Sequence, residues 1–342
     1  MKRCLVTGGM GFIGFNSSLH FACQGYSVVA FDNLSRSTAQ KNYKEFSQTP
    51  FPGIRFIQGD IRKPADLKRV FKKHGRFDAV LHLAGQTAVT TSVIDPRSDF
   101  EANAHGTLNV LEAVRKFSPK SAVLFSSTNK VYGGMDWMCF KEDRKRYVLT
   151  YPKYGVAESA PLDFHSPYGC SKGTADQYVR DYARIYGLNT VVFRQSCIYG
   201  PWQYGAEDQG WVAWLVLAAL SDQRITLYGS GKQVRDILYI DDLTALYDRA
   251  LRKIRRVRGE VFNAGGGMDK TLSLLELLDW IRHRLDISPK LSRADWRPGD
   301  QRAYISDISK AKKYLDWSPI VSVGSGLEKL LAWLEPRVRS RP

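Results

Sequence analysis

Tyr168-Gly169-Cys170-Ser171-Lys172 is the segment of this chain best equipped for chemistry. A spacing of four places the phenol and the amine on one face of a helix. A phenol that titrates near about 10 is a poor base at neutral pH. A neighbouring ammonium, joined by the positive charge of an oxidised nicotinamide ring, favours the phenolate and lowers that value. Such a pair can take a hydroxyl proton while hydride leaves the same carbon. Phe125-Ser126-Ser127-Thr128 ends an apolar run, which puts the Thr128 hydroxyl at a strand end, in position to share that proton and to orient the alcohol.

The hydride acceptor is signalled by Thr7-Gly8-Gly9-Met10-Gly11-Phe12-Ile13-Gly14, which follows one strand pattern and opens a helical one. Gly8, Gly11 and Gly14 permit a tight turn, close approach of backbone to a pyrophosphate, and close packing of helix on strand. The free amides and dipole of the helix N-terminus then favour the phosphates. Asp32 closes the second strand pattern and suits a ribose 2′-hydroxyl while repelling a 2′-phosphate, so NAD is expected over NADP. Arg36 is the countervailing residue, because a nearby arginine can hold a 2′-phosphate.

The elements that must carry these groups alternate regularly. Strands are expected at Arg3–Thr7, Ser27–Asp32, Ile54–Gln58, Ala79–Leu83, Ala122–Ser126 and Thr190–Arg194, and helices at Phe12–Gln24, Pro64–Lys73, Asp99–Lys116 and Ser171–Tyr186. That alternation predicts βαβ units and an α/β fold, a doubly wound parallel sheet of Rossmann type. Residues 1–195 form the expected NAD-binding domain. From residue 196 to 342 the pattern becomes aromatic and loop-rich, as expected of a smaller lobe that covers a substrate, with segments around 235–262 returning to the sheet. Between Gly134 and Ala160 lies a basic insert, which reads equally well as a surface loop or as part of the sugar side.

Taken together, Thr7–Gly14, Asp32–Arg36, Phe125–Thr128 with Val131-Tyr132-Gly133, and Tyr168–Lys172 stand in one order. They are followed by Arg194, Tyr199-Gly200-Pro201, Arg235-Asp236, Asp241-Asp242 and Arg297-Pro298-Gly299-Asp300. In this the chain resembles the extended short-chain dehydrogenase/reductase family of nucleotide-sugar epimerases and dehydratases, over nearly its whole length. The resemblance implies that Thr128, Tyr168 and Lys172 carry the redox chemistry. It implies NAD contacts from Gly8, Gly11, Phe12, Ile13, Gly14, Asp32, Asn33, Ser35, Arg36, Asp60, Ile61, Leu83, Ala84, Gln86, Asn103, Ser126, Tyr168, Lys172 and Gln195. The nucleotide sugar falls to Thr128, Asn129, Ser196, Gln209, Arg235, Arg297 and Asp300, whose guanidinium groups suit a diphosphate. The stretch Pro161–Arg194, with Asp208-Gln209-Gly210-Trp211 and Gly231–Asp236, is similar to the branch that inverts C2 of a CDP-hexose. A UDP-sugar 4-epimerase is the nearest rival. A 4,6-dehydratase fits less well, because Asn129 and Lys130 stand where that chemistry needs an acid–base pair. The resemblance also implies a homodimer or homotetramer, with Asp99–Lys116 and Ser171–Tyr186 pairing across subunits.

Composition narrows the field further. The chain has 342 residues, 44% apolar and 25% charged, which is ordinary for a globular protein. Its longest apolar run, Trp211–Leu220, is about half of the roughly 20 residues that a membrane span needs. No membrane role is expected, and without a signal-peptide pattern cytoplasmic residence is. Cys4, Cys23, Cys139, Cys170 and Cys197 are scattered, with no ligand spacing, so neither a disulfide framework nor a metal site is expected. The net charge of +16 gathers partly in Arg252–Arg258 and Arg337–Arg341 without interleaved aromatics. That reads as solvated surface favouring anionic nucleotides, and no nucleic-acid partner is expected. A non-catalytic dinucleotide- or RNA-binding protein is the alternative of a different class, and the intact Thr128, Tyr168 and Lys172 argue against it. Cys170 and His82 read as packing groups; Trp211 and Trp214 suit core or nucleotide cover equally.

Overall fold

A computed structural model describes residues 1–296 and 301–339. At its centre lies a seven-stranded sheet of β1 (Arg3–Thr7), β2 (Ser27–Asp32), β3 (Ile54–Gln58), β4 (Ala79–His82), β5 (Ala122–Thr128), β6 (Asn189–Gln195) and β7 (Val261–Ala264). The order is β3-β2-β1-β4-β5-β6-β7, and every neighbouring pair is parallel. Residues alternate between two cores: Cys4, Val6, Val28, Leu81, Leu124 and Val191 point to one side, Leu5, Val29, Val80, Val123 and Val192 to the other. Both faces are therefore covered, which is why these strands read as continuous apolar runs. Burying one such Leu or Val removes it from water for about 1.5–3 kcal/mol.

The strand order reverses between β1 and β4, the place where open α/β sheets bind ligands beyond their strand ends. Thr7, Asp32, His82, Thr128 and Gln195 all close strands at that edge. Three of the six predicted strands, β1, β2 and β3, have the expected ends, and β4, β5 and β6 differ by one or two residues at an end. The predicted helix over Asp99–Lys116 is instead Pro96–Phe100, a π turn at Glu101–His105 and an α-helix at Gly106–Phe117. Tyr168 and Lys172 lie in the opening turns of the 20-residue helix Ser166–Ile185.

Beyond β6, the strands Cys197–Tyr199, Val234–Tyr239, Thr271–Ser273 and Ala303–Tyr304 form a second sheet, and Ile225–Tyr228 pairs in parallel with Leu291–Ala294. The basic insert is ordered rather than trailing: Cys139–Glu142 and Tyr147–Tyr151 make a hairpin. Met135, Met138 and Leu149 of the insert share a small core with Val131 and Tyr132 after β5, and with Val234, Tyr304 and Ile305 of the lobe. Polar ties reinforce it. The Tyr147 amide donates to the Lys232 carbonyl at 3.0 Å, Lys145 pairs with Asp279 at 2.5 Å, and Arg146 pairs with Glu276 at 3.5 Å. No helix among the described residues is long and apolar enough to cross a membrane.

Candidate active site

The glycine loop between β1 and the helix Phe12–Cys23 is shaped by contacts no side chain could share. Gly8 has φ +70°, and a Cβ there would lie 2.8 Å from the Ala84 amide nitrogen. A Cβ on Gly14 would lie 1.9 Å from the Gly8 carbonyl oxygen. Gly11 caps the helix with no side-chain acceptor and no acid follows in the first turn, so the Phe12 and Ile13 amides are left for an anion. Asp32 is buried, and its carboxylate accepts from the Met10 amide at 3.1 Å and the Leu34 amide at 2.8 Å. Burial raises its pKa, against those amides and Arg36. The acid thereby ties the loop to the end of β2.

Around this loop the other candidates take up defined places. Asn33 donates to Asp60 at 3.1 Å and accepts from the Ser35 amide at 3.0 Å. Burial would raise Asp60, but bonds from Arg62 and Asn33 outweigh it and hold the carboxyl at about 2. Ile61 is buried under Gly106. The Leu83 and Ala84 amides donate to Thr7 Oγ1 at 3.2 and 3.3 Å. Gln86 closes on its own loop through Ala88. Arg36 bonds Thr87 and Gln209, the latter beyond β6 in the chain, and its charge also faces Tyr168. Beside it, Thr90 donates to Asp208 at 3.0 Å. Gln195, buried at the end of β6, bonds the Tyr247 hydroxyl.

Helical spacing sets Tyr168, Lys172 and Asp176 in one buried row. Burial pushes the Tyr168 phenol up to about 12, against the Thr128 hydroxyl that it faces. Lys172 Nζ donates to the Ser126 carbonyl and lies 4.2 Å above the Phe125 ring. Burial pulls this amine down to about 7 despite Asp176 and Asp99. The expected lowering joins the ammonium to the positive nicotinamide ring, and the ammonium alone does not offset burial at the phenol. Desolvation wins at both groups, because each lies in a low-dielectric setting and the second positive charge of that argument comes only with the cofactor.

Two supporting networks were not visible in the sequence. In the first, Ser171 Oγ donates to Asp99, and Asn103 Nδ2 donates to Asp99 at 3.1 Å and to Ser171 at 3.1 Å. Asn103 lies in the π turn, and its buried Oδ1 has no partner. The Tyr168 amide is held by Ser92 Oγ at 3.1 Å. In the second, the fully buried pair Asp176–Arg194, at 3.0 Å, gathers Ser127 at 2.9 Å and Tyr132 at 3.2 Å. It locks β5 and β6 to the catalytic helix. The continuing four-residue spacing from Lys172 to Asp176 was the available signal. His82 bridges Thr7 and Thr107 at 2.8 and 2.9 Å, and burial, with Lys172, brings it down to about 3, a satisfied core histidine.

On the substrate side, Asn129 is buried beside Thr128, 3.4 Å from its hydroxyl. Ser196 is committed to Asp236. Arg235 is buried in its strand, with Nη1 donating to the Val234 carbonyl at 2.9 Å. Arg297 and Asp300 lie outside the described residues. Among the described residues no cluster of His, Cys, Asp or Glu could hold a metal. A glycine cradle that a Cβ would fill, an acid at the β2 end and an orphaned amide oxygen at Asn103 together fit a dinucleotide.

Comparison with known proteins agrees with this geometry. Residues 4–265 match the NAD dependent epimerase/dehydratase family. The chain is 44% identical to the CDP-paratose 2-epimerase of Salmonella typhi, over 97% of this chain and 98% of that protein. It is 31% identical to a putative UDP-glucose 4-epimerase of Methanocaldococcus jannaschii, over 98% and 99% of the two. The crystal structure of a Thermotoga maritima UDP-glucose 4-epimerase with UDP-glucose superposes with a TM-score of 0.83 at 30% identity, covering 98% of this chain and 99% of that one. This chain belongs to the NAD-dependent epimerase/dehydratase family.

Proposed function

We propose that the protein is a nucleotide-sugar epimerase that inverts C2 of a CDP-hexose of the paratose/tyvelose type. The observation that carries the redox part is the Tyr168 phenol facing the Thr128 hydroxyl, with Lys172 one turn along the same buried helix face. Support for the base and the carbon comes from the 44% likeness to a CDP-paratose 2-epimerase across nearly the full length of both chains.

The cleft between Gly8–Gly14, Asp32 and Asn103 would hold NAD, which when bound takes hydride from the sugar carbon and returns it. Everything else in the mechanism belongs to the chain. Tyr168 receives the C2 hydroxyl proton as the carbonyl forms, and gives it back as the carbonyl is reduced. Thr128, beside the phenol, holds the same oxygen and keeps it within reach. Lys172, held at about 7, gains or loses a proton near working pH and supplies the field that favours phenolate when charged. Asp99, Ser171 and Ser92 keep the Tyr168 turn fixed. Arg235, with Arg297 by resemblance, anchors the diphosphate, so the sugar ring can turn over while its leash stays put.

In this reading residues 1–195, completed by β7, form the cofactor half, and most of 196–342 forms the substrate lobe. We infer a homodimer built on the helices Val89–Ile94, Pro96–Phe100 and Ser166–Ile185, since Ile94, Phe100, Tyr178, Ile185 and Tyr186 are large apolar groups left exposed there. Five free cysteines suit the reducing cytoplasm. The test is to incubate the purified protein with CDP- and UDP-hexoses and identify the inverted carbon by NMR. Inversion at C2 of the CDP-sugar is expected; inversion at C4 of a UDP-sugar alone would replace this reading with the rival one.

A further inference from the structure

We propose that Arg337, on the helix Val323–Arg339, is a positioning residue for the cofactor: it clasps the segment Pro201–Tyr204 against the glycine loop and so slows the escape of NAD. The inference rests on NAD as the cofactor and not on the identity of the sugar. The guanidinium lies over two indoles, 4.3 Å from the ring centre of Trp333 and 5.3 Å from that of Trp202. Its Nη2 donates to Glu45 at 2.8 Å, and the Tyr204 hydroxyl donates to the other oxygen of the same carboxylate. One side chain thus joins three segments far apart in the chain: its own helix, the turn that carries Trp202 and Tyr204, and the helix Ser37–Gln48. A guanidinium suits this place, because its face stacks on an indole while its edge still donates to a carboxylate.

Both partners of the clasp lead directly to the glycine loop. Asn42 precedes Glu45 by three residues, on the same helix face, and is buried. Its Nδ2 donates to the Met10 carbonyl at 2.9 Å and to the Trp202 carbonyl at 3.3 Å. The Met10 amide is the one that Asp32 accepts, so the peptide groups on both sides of Met10 are gripped. Trp202 meets Phe15 edge to face with ring centres 4.6 Å apart, and Asn16 donates to the Pro201 carbonyl at 2.9 Å. Phe15 and Asn16 both belong to the helix that the loop opens. Trp202 itself has φ +66°, a left-handed backbone that a bulky residue adopts only where its surroundings impose it. The guanidinium above its ring supplies part of that constraint. Without it the Trp202 turn relaxes, and Asn42 and Asn16 lose fixed acceptors there. The glycine loop then opens more often, and NAD escapes in proportion to the open fraction.

The test is exchange of bound NAD in the NAD-loaded protein against an excess of isotopically labelled NAD, comparing wild type with Arg337→Ala, Arg337→Lys and Glu45→Gln. Arg337→Ala is expected to exchange about tenfold faster, the result of a tenfold rise in the open fraction. Arg337→Lys keeps a charge for Glu45 but not the planar stack, and is expected between Ala and wild type. Glu45→Gln is also expected to quicken exchange. Turnover with NAD held saturating is expected to stay within about twofold of wild type in every variant, because the clasp acts on cofactor retention and not on the chemical step. Wild-type exchange in both Arg337→Ala and Glu45→Gln overturns the proposal, and so does a loss of saturated turnover with exchange unchanged. If Arg337→Ala fails to fold, faster exchange in Glu45→Gln supports the proposal and wild-type exchange there overturns it. Exchange needs no sugar, so a failed sugar assignment leaves the result standing; a wild type that holds no NAD overturns the proposal together with its cofactor.

Discussion

Replacing Lys172 with methionine should abolish turnover and yet make the cofactor-free protein more stable at mildly acid pH. The amine is buried, and its pKa falls from 10.5 to about 7 on folding. Between those values the unfolded chain binds a proton that the native chain does not, so stability rises with pH across that window. Below pH 7 the native state carries the full cost of charging the amine, about 5 kcal/mol for a fall of that size. Methionine removes this cost but strands the Ser126 carbonyl that Lys172 now satisfies, a loss of about 1–3 kcal/mol. It also forfeits the contact of the cation with the Phe125 ring. A net gain of about 2 kcal/mol at pH 6 is left. At pH 9 the residual charging cost has shrunk to about 2 kcal/mol, and the gain vanishes. Urea unfolding of both proteins at pH 6 and pH 9 reads this directly. A variant less stable than wild type at pH 6, or one with an unchanged pH dependence, would refute the claim that Lys172 is a desolvated amine.

Further outcomes follow from the same geometry. Tyr168→Phe should retain the fold and NAD but lose at least about 100-fold in kcat, read by the NMR turnover assay. Asp176→Ala should destabilise by about 3–5 kcal/mol in urea, because it strands the buried Arg194 charge. Gly14→Ala, whose Cβ would press on the Gly8 carbonyl, should yield protein that purifies without NAD, checked by releasing and quantifying the nucleotide.

How far the sequence revealed this site depended on how local each signal was. β1 to β6 could be read because each strand alternates between two cores within four to seven residues. Tyr168 and Lys172 could be read because their spacing matches one helical turn. β7 could be placed only loosely, since it enters the sheet beside β6 from nearly seventy residues away, and nothing near Val261 announces that partner. The hairpin in the insert was missed for a similar reason: its core is supplied by Val234 and Tyr304 rather than by itself. The role of Asp99 and the pairing of Arg194 with Asp176 were hidden too, because a buried charge is explained only once its partner is known. The phenol's upward displacement lay beyond sequence reasoning altogether, as burial is set by the whole fold.

The central claim is that Tyr168 serves a transient oxidation, not a simple proton exchange at carbon. A CDP-hexose deuterated at C2, turned over in ordinary water and followed by NMR, tests it most directly. The account predicts an inverted C2 that keeps its deuterium, since hydride leaves and returns within one active site. Loss of the label to solvent during inversion would contradict it.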